Sequence, residues 1–189
     1  MIIRKADPTD AAFAAPLIYE AIGDIANMLT GAKEADEAIR MMGEFFAQKN
    51  NRLSYENALI AMDEGVPLGL ALFYHGSQTE AMDQPFVDHV QRLTGKAPRI
   101  VKEAKDDEFY LDTVVVSDAC RGKGIGKKLL EAFEKEGERR GHERVALLVD
   151  EENGRARQLY ESIGYRQDGT IMLNGHLFSH MVKELTVLV

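Results

Sequence analysis

Residues 109–130 read "FYLDTVVVSDACRGKGIGKKLL": a β-branched and aromatic run, then glycines at 122, 124 and 126, then paired lysines at 127 and 128. The first half has the composition of a strand. In the second, Ile125, Leu129, Leu130 and Phe133 recur at helical spacing, which predicts a helix through about Arg140, stopped by Gly141. A strand that feeds a helix through a glycine loop leaves N–H groups bare at the helix start, where the macrodipole adds roughly half a positive charge. Glycine lets anionic oxygens approach that backbone without meeting a Cβ. Arg121, Lys123, Lys127 and Lys128 add positive charge. The stretch predicts a phosphate or pyrophosphate cradle.

Two familiar phosphate loops do not fit. The nucleotide P-loop needs Ser or Thr after its lysine, and Lys128 stands there. The dinucleotide fingerprint, counted from Gly122 and Gly124, needs its last glycine where Lys127 stands. Outward from the loop, "IIRKA" (2–6) predicts a strand, and Leu17, Ile18, Ala21, Ile22 and Ile25 mark one face of a helix. A second helix spans about 34–48, and residues 57–75 form two strands around Glu64-Gly65. Downstream lie a buried strand at 144–150, a helix at 153–164, and a hairpin turning at Asn174-Gly175. Residues 76–106 interrupt the rhythm. They hold a short helix, Pro85 to Leu93, in an otherwise charged and irregular connection of the kind that serves as a lid or a contact surface. The order β-α-α-β-β-insert-β-α-β-α-β-β predicts an α/β fold with a mixed sheet, one domain across 1–189.

Composition narrows the function. A net charge of −8 argues against a broad grip on nucleic acid, so any anion site is local. No apolar run is long enough to span a bilayer, the first residues lack a secretory signal, and the single Cys120 leaves no disulfide framework. The expectation is a cytoplasmic protein without membrane or nucleic-acid partners. The histidines show no metal-ligand grouping, so no metal is expected.

Arg121-Gly122-Lys123-Gly124-Ile125-Gly126 resembles the R/Q-x-x-G-x-G/A signature of the GNAT superfamily of N-acetyltransferases, and "VVVSDACRGKGIG" resembles the wider strand-and-loop motif, with Asp118 where proline is common. "ENGRARQLYESIGY" is similar to the family's second motif, and "HMVKEL" to its last strand. The resemblance implies the GNAT fold: a twisted, mostly antiparallel sheet of about seven strands flanked by about four helices. It further implies direct acetyl transfer from acetyl-CoA to an amine, leaving CoA as product.

Carried over residue by residue, the resemblance implies that the backbone of Val114 and Val116 pairs with the pantetheine arm, with Val115 facing the opposite side. The N–H groups from Arg121 through Gly122, Lys123, Gly124, Ile125 and Gly126 to Lys127 would hold the pyrophosphate. An N–H near Val114 or Val115 would meet the developing oxyanion. Tyr160 would protonate the departing thiolate, and Asn153 would contact the cofactor, although it equally suits a helix N-cap. Asp112 holds a position where the family often carries an acidic residue and ranks first as general base, ahead of His75 and Tyr110. A rival reading is a CoA-binding sensor without turnover. The acceptor is a small-molecule or peptide amine that no motif identifies, and the apolar tail "TVLV" (186–189) points to a homodimer.

Overall fold

The computed structural model describes residues 1–186; all but Thr186 of the "TVLV" tail lies outside them. Seven strands form one sheet in the order β1-β2-β3-β4-β5-β7-β6. They are β1 (Ile2–Lys5), β2 (Ala58–Asp63), β3 (Val66–His75), β4 (Phe109–Val116), β5 (Arg144–Asp150), β6 (Arg166–Leu173) and β7 (His176–Glu184). Every neighbouring pair is antiparallel except β4 and β5. The β2–β3 and β6–β7 turns are the two-residue kind expected. Glu64-Gly65 and Asn174-Gly175 both carry positive φ at each position, which matches the twist of the flanking strands.

Among the described residues, six α-helices flank the sheet: α1 (Ala11–Ile22), α2 (Asp24–Thr30), α3 (Ala35–Phe46), α4 (Thr79–Thr94), α5 (Ile125–Arg139) and α6 (Gly154–Ser162). Two differences from the expected four have physical causes. The first helical pattern breaks at Gly23, whose φ of 52° ends α1 and lets the chain restart as α2. The insert is mostly the four-turn helix α4, which runs straight through Pro85. The carbonyl that the proline leaves unpaired belongs to solvent-exposed Ala81, while Met82 and Phe86 pack into core clusters and Val90 is buried on the same side of the helix. Its return segment packs tightly on the end of β3: a Cβ at Gly76 would lie 1.8 Å from the Lys105 carbonyl.

One apolar layer joins α5 and α6 to the sheet through Leu129, Phe133 and Tyr160 against Phe73, Phe109, Leu111 and Leu147. The opposite layer joins α1–α4 through Ile18, Leu29, Phe46 and Phe86 against Ile60, Leu70, Leu72 and Val115. Strand β4 packs into both layers and carries a bulge. Leu72 pairs with Thr113 and Phe73 with Leu111, so Asp112 is the extra residue on β4. The bulge resets the alternation: Phe109 and Leu111 face α5, and so do Val114 and Val116, while Val115 packs in the other layer.

Candidate active site

Strands β4 and β5 pair only over Phe109–Leu111 against Val145–Leu147. Beyond that point β4 continues to Val116 and β5 to Asp150 with no ladder between them. The bulge at Asp112 lies where they part. A cavity of about 340 Å³ fills the opening. Asp112, Thr113 and Val114 form one wall, Leu148, Val149 and Asp150 another. Ile22, Ile25 and Leu29 cover it from α1 and α2, and Leu173 and Phe178 from the β6–β7 hairpin. A splayed strand pair offers main-chain groups to an extended ligand, as a sheet edge does to a strand.

Past the open end of β4 lies the glycine loop. Gly122 and Gly124 adopt φ of 78° and 75°, and Gly124 is the N-cap of α5 with no side-chain cap. Among the described residues, the N–H groups of Gly124, Ile125, Gly126 and Lys127 donate to no protein acceptor, as expected for an uncapped first turn. A Cβ at Gly122 or Gly124 would meet nothing within 4 Å, so the space in front of these amides is open. The Arg121 N–H instead closes the preceding turn onto the Asp118 carbonyl at 3.3 Å. Its guanidinium is held by Glu20 at 2.5 Å and Asp118 at 2.8 Å. Lys123, Lys127 and Lys128 are exposed. The loop thus fits a pyrophosphate on the observation of an uncapped, sterically open set of amides beside lysines.

Asn153 and Tyr160 both line the cavity from α6. Asn153 caps that helix: its Oδ1 accepts from the Ala156 N–H at 3.1 Å, and its own N–H donates to the Asp150 carbonyl at 2.9 Å. Tyr160 is buried against Tyr165, and burial pushes its phenol up to about 12. It is therefore a neutral O–H donor at any working pH. Complete proton transfer to a thiolate whose acid lies near 8.5 would be uphill by about 3.5 units, or roughly 5 kcal/mol. In this cavity the phenol suits hydrogen bonding to a departing sulfur better than free-standing acid catalysis.

The inner end of the cavity is charged. Arg52, only 4% exposed, donates to Asp112 at 2.5 Å, to Glu103 at 3.2 Å and to Asp83 at 3.4 Å. Tyr74 donates to Asp112 at 2.9 Å, Tyr110 to Glu103 at 2.6 Å, and Thr113 to Asp112 at 3.0 Å. Three carboxylates thus converge on one guanidinium. Burial raises the pKa of Glu103 and lifts that of Asp83 to about 6, against the pull of Arg52. His75 is elsewhere, on the far end of β3, bonded to Ser77 and stacked on His142. Arg52, Glu103 and Asp83 carry no signal in the sequence, because they come from a short loop, the return of the insert and α4, and meet only in the fold.

Away from the cavity, His180 donates between the carboxylates of Glu108, at 3.0 Å, and Asp168. With Lys105 2.8 Å from Asp168, this ion cluster ties the end of the insert to β6 and β7.

The model of the acetyltransferase (GNAT) family matches residues 22–165. A crystal structure described as an acetyltransferase superposes with a TM-score of 0.83 at 32% identity, covering 98% of this chain and 100% of that one. The spermine/spermidine N(1)-acetyltransferase of Bacillus subtilis (strain 168) is 33% identical over 94 residues. That stretch is 49% of this chain and 60% of the relative's length. The fold also matches yncA, a putative acetyltransferase from Salmonella typhimurium solved with its cofactor acetyl-CoA, with a TM-score of 0.58 at 18% identity over 98% of this chain and 94% of that one. The open glycine loop, the splayed strands and the family match across both motifs agree, and this chain belongs to the GNAT family of acetyltransferases.

Proposed function

We propose that the protein is an N-acetyltransferase that takes the acetyl group from acetyl-CoA and places it directly on a cationic amine. The carrying observation is the continuity of the site: a splayed strand pair runs from an uncapped glycine loop at one end to a cluster of carboxylates at the other. Acetyl-CoA bound there supplies the acetyl group as a thioester. The amides of Gly124 to Lys127, with the side chains of Arg121, Lys123 and Lys127 around them, hold the pyrophosphate. The backbone of Val114 and Val116 aligns the pantetheine arm, and an N–H near Val114 or Val115 faces the thioester oxygen. Asn153 fixes the start of α6 and contacts the arm, and the Tyr160 hydroxyl hydrogen-bonds the departing sulfur while keeping its own proton.

The acceptor end favours a cation. Asp112 and Glu103 line the inner cavity, Asp150 lies at the wall it shares with the outer recess, and Asp24 lines that recess. Carboxylates spaced along one path suit an amine with more than one positive charge, in keeping with the polyamine acceptor named for the Bacillus relative. We place the protein in the cytoplasm, where acetyl-CoA is made and a free half-buried thiol such as Cys120 persists. A homodimer through β6, the outer strand with mostly exposed side chains, completes the reading.

A thiol-release assay tests the reaction. With acetyl-CoA and spermidine, propane-1,3-diamine or a peptide N-terminus, release of CoA should match acetylated amine one to one. CoA release that is the same with and without amine would leave hydrolysis, not transfer, as the activity.

A further inference from the structure

The reaction needs a group that takes a proton from the acceptor, because an alkylammonium near pKa 10.4 has almost no free lone pair at neutral pH. Asp112 is the carboxylate that the strand motif suggests, and its surroundings make it a poor choice. Its two oxygens accept from Arg52, Tyr74 and Thr113, and its side chain is 4% exposed. With three donors on two oxygens, its lone pairs are largely taken up by the fold, which leaves little room for an acceptor ammonium. Asp83 has the opposite defect: among the described residues it is held only by Arg52, but it does not line the cavity.

Glu103 meets both requirements. It is more open than Asp112, at 13% exposed, and it lines the main cavity. It also forms the partition toward the recess that Arg99, Ile100 and Val101 line on the other side. Each of its oxygens has one donor, Arg52 or Tyr110, so lone pairs remain free to accept. Resting on the transferase reading above, we propose that Glu103, delivered by the return of the insert, is the general base that deprotonates the acceptor amine.

The proton leaves the ammonium nitrogen for the Glu103 carboxylate, and the freed lone pair forms the C–N bond as the thioester C–S bond breaks. The second amine proton passes to the departing thiolate, and Glu103 returns its own to water. The groups facing Glu103 set its behaviour from every side: Arg52 from its loop, Asp112 and Tyr110 from β4, Tyr74 from β3 and Asp83 from α4. One guanidinium opposes three carboxylates, so burial and the neighbouring anions keep a proton on the cluster at higher pH than an isolated glutamate would. The insert thereby gains a chemical role, because Glu103 lies within it.

The test compares wild type with Glu103→Gln, reading kcat/KM for spermidine from pH 6 to 10, with acetyl-CoA affinity measured by calorimetry. The variant should bind acetyl-CoA as wild type does and lose ~100-fold or more at pH 7, the usual contribution of a positioned base. Its rate should then climb about tenfold per pH unit, closing the gap near pH 10 where the amine deprotonates itself. Glu103→Asp, which keeps a titrating carboxylate, should recover part of the loss at pH 7. A second readout needs no turnover. Spermidine titrated at pH 6 in two buffers of different ionisation heat should expel more protons from wild type than from Glu103→Gln, in which Asp83 still titrates.

A loss equal at every pH, an unchanged rate, or equal proton release in Glu103→Gln would overturn the assignment of Glu103. Wild type that binds acetyl-CoA but acetylates no amine would instead overturn the transferase reading itself.

Discussion

Replacing Asp83 by asparagine should stabilise the protein, and only above acid pH. Asp83 sits on α4 with its carboxylate 3.4 Å from Arg52, and an ion pair of that kind is commonly read as stabilising. Its surroundings argue otherwise. Burial raises its pKa, Arg52 opposes this, and Asp112 and Glu103 reinforce it, for a final value of about 6 against 3.8. The unfolded chain therefore ionises at lower pH than the folded one. Between these values the fold holds the extra proton, so stability falls as pH rises from about 4 to 6 and the penalty is complete above 6. A shift of about 2.2 units corresponds to at most about 3 kcal/mol at pH 8, and to about 1 kcal/mol at pH 4.5. Solvent reaching the partly open side chain trims both figures. Asparagine keeps the shape and an acceptor for Arg52 without the charge. Urea unfolding should show Asp83→Asn more stable by about 2 kcal/mol at pH 8, a midpoint shift of about 1 M, and by only about 0.7 kcal/mol at pH 4.5. A variant less stable than wild type at pH 8 would refute the reasoning, because Asp83 would then be a net contributor through Arg52. An equal gain at both pH values would refute it too, since the effect would not be a titration.

Three further outcomes follow from named contacts. Tyr160→Phe should leave acetyl-CoA affinity unchanged and lower kcat about 10- to 100-fold, read by thiol release, because it removes only the hydrogen bond offered to the sulfur. Asn153→Ala should cost about 1 kcal/mol in urea unfolding through the lost cap, whereas Asn153→Asp should keep that stability, so a loss of acetyl-CoA affinity in the latter arises at the cofactor side and not from the cap. His180→Gln should destabilise more at pH 6 than at pH 9. Burial works to lower the His180 pKa, but hydrogen bonds to Glu108 and Asp168 outweigh it and leave the value raised. The stabilisation, about 1.5–3 kcal/mol for hydrogen bonds to charged groups, is therefore present in full below the unfolded value near 6.5 and fades as pH climbs through the folded one.

What the sequence conveys about this fold is what local chemistry decides. The β-branched run of β4, the two paired turns with positive φ and the apolar stripes of α3 and α5 need no distant partner to be recognised. The glycine loop is legible for the same reason: its function resides in its own backbone. The Asp112 bulge is not, because it exists only in register with Leu72 and Phe73 of another strand. The half of α4 from Pro85 to Leu93 shows in the helical spacing of Phe86 and Val90, whereas the turns before it, from Thr79, hide behind Pro85, whose cost is met by an exposed carbonyl. The acceptor end is the least legible of all. Arg52 stands among polar residues in "KNNRLS", and Glu103 in the charged run "VKEAKDDE". Either would pass for a solvated side chain, and only the fold brings them within 3.2 Å.

The most direct test of the central claim, that the loop before α5 is built to hold the pyrophosphate of acetyl-CoA, is a calorimetric titration of acetyl-CoA into wild type and Gly126→Ala. Gly126 has ordinary helical geometry, and a Cβ there would touch only Val116 at 3.9 Å. Alanine should therefore raise stability by up to about 1 kcal/mol. The account predicts saturable one-site binding to wild type and an affinity at least ~10-fold weaker in the variant, since the methyl group occupies space the phosphate oxygens use. A more stable protein that binds less tightly separates the cradle from the fold. No saturable binding to wild type, or equal affinity in the two proteins, would contradict the claim.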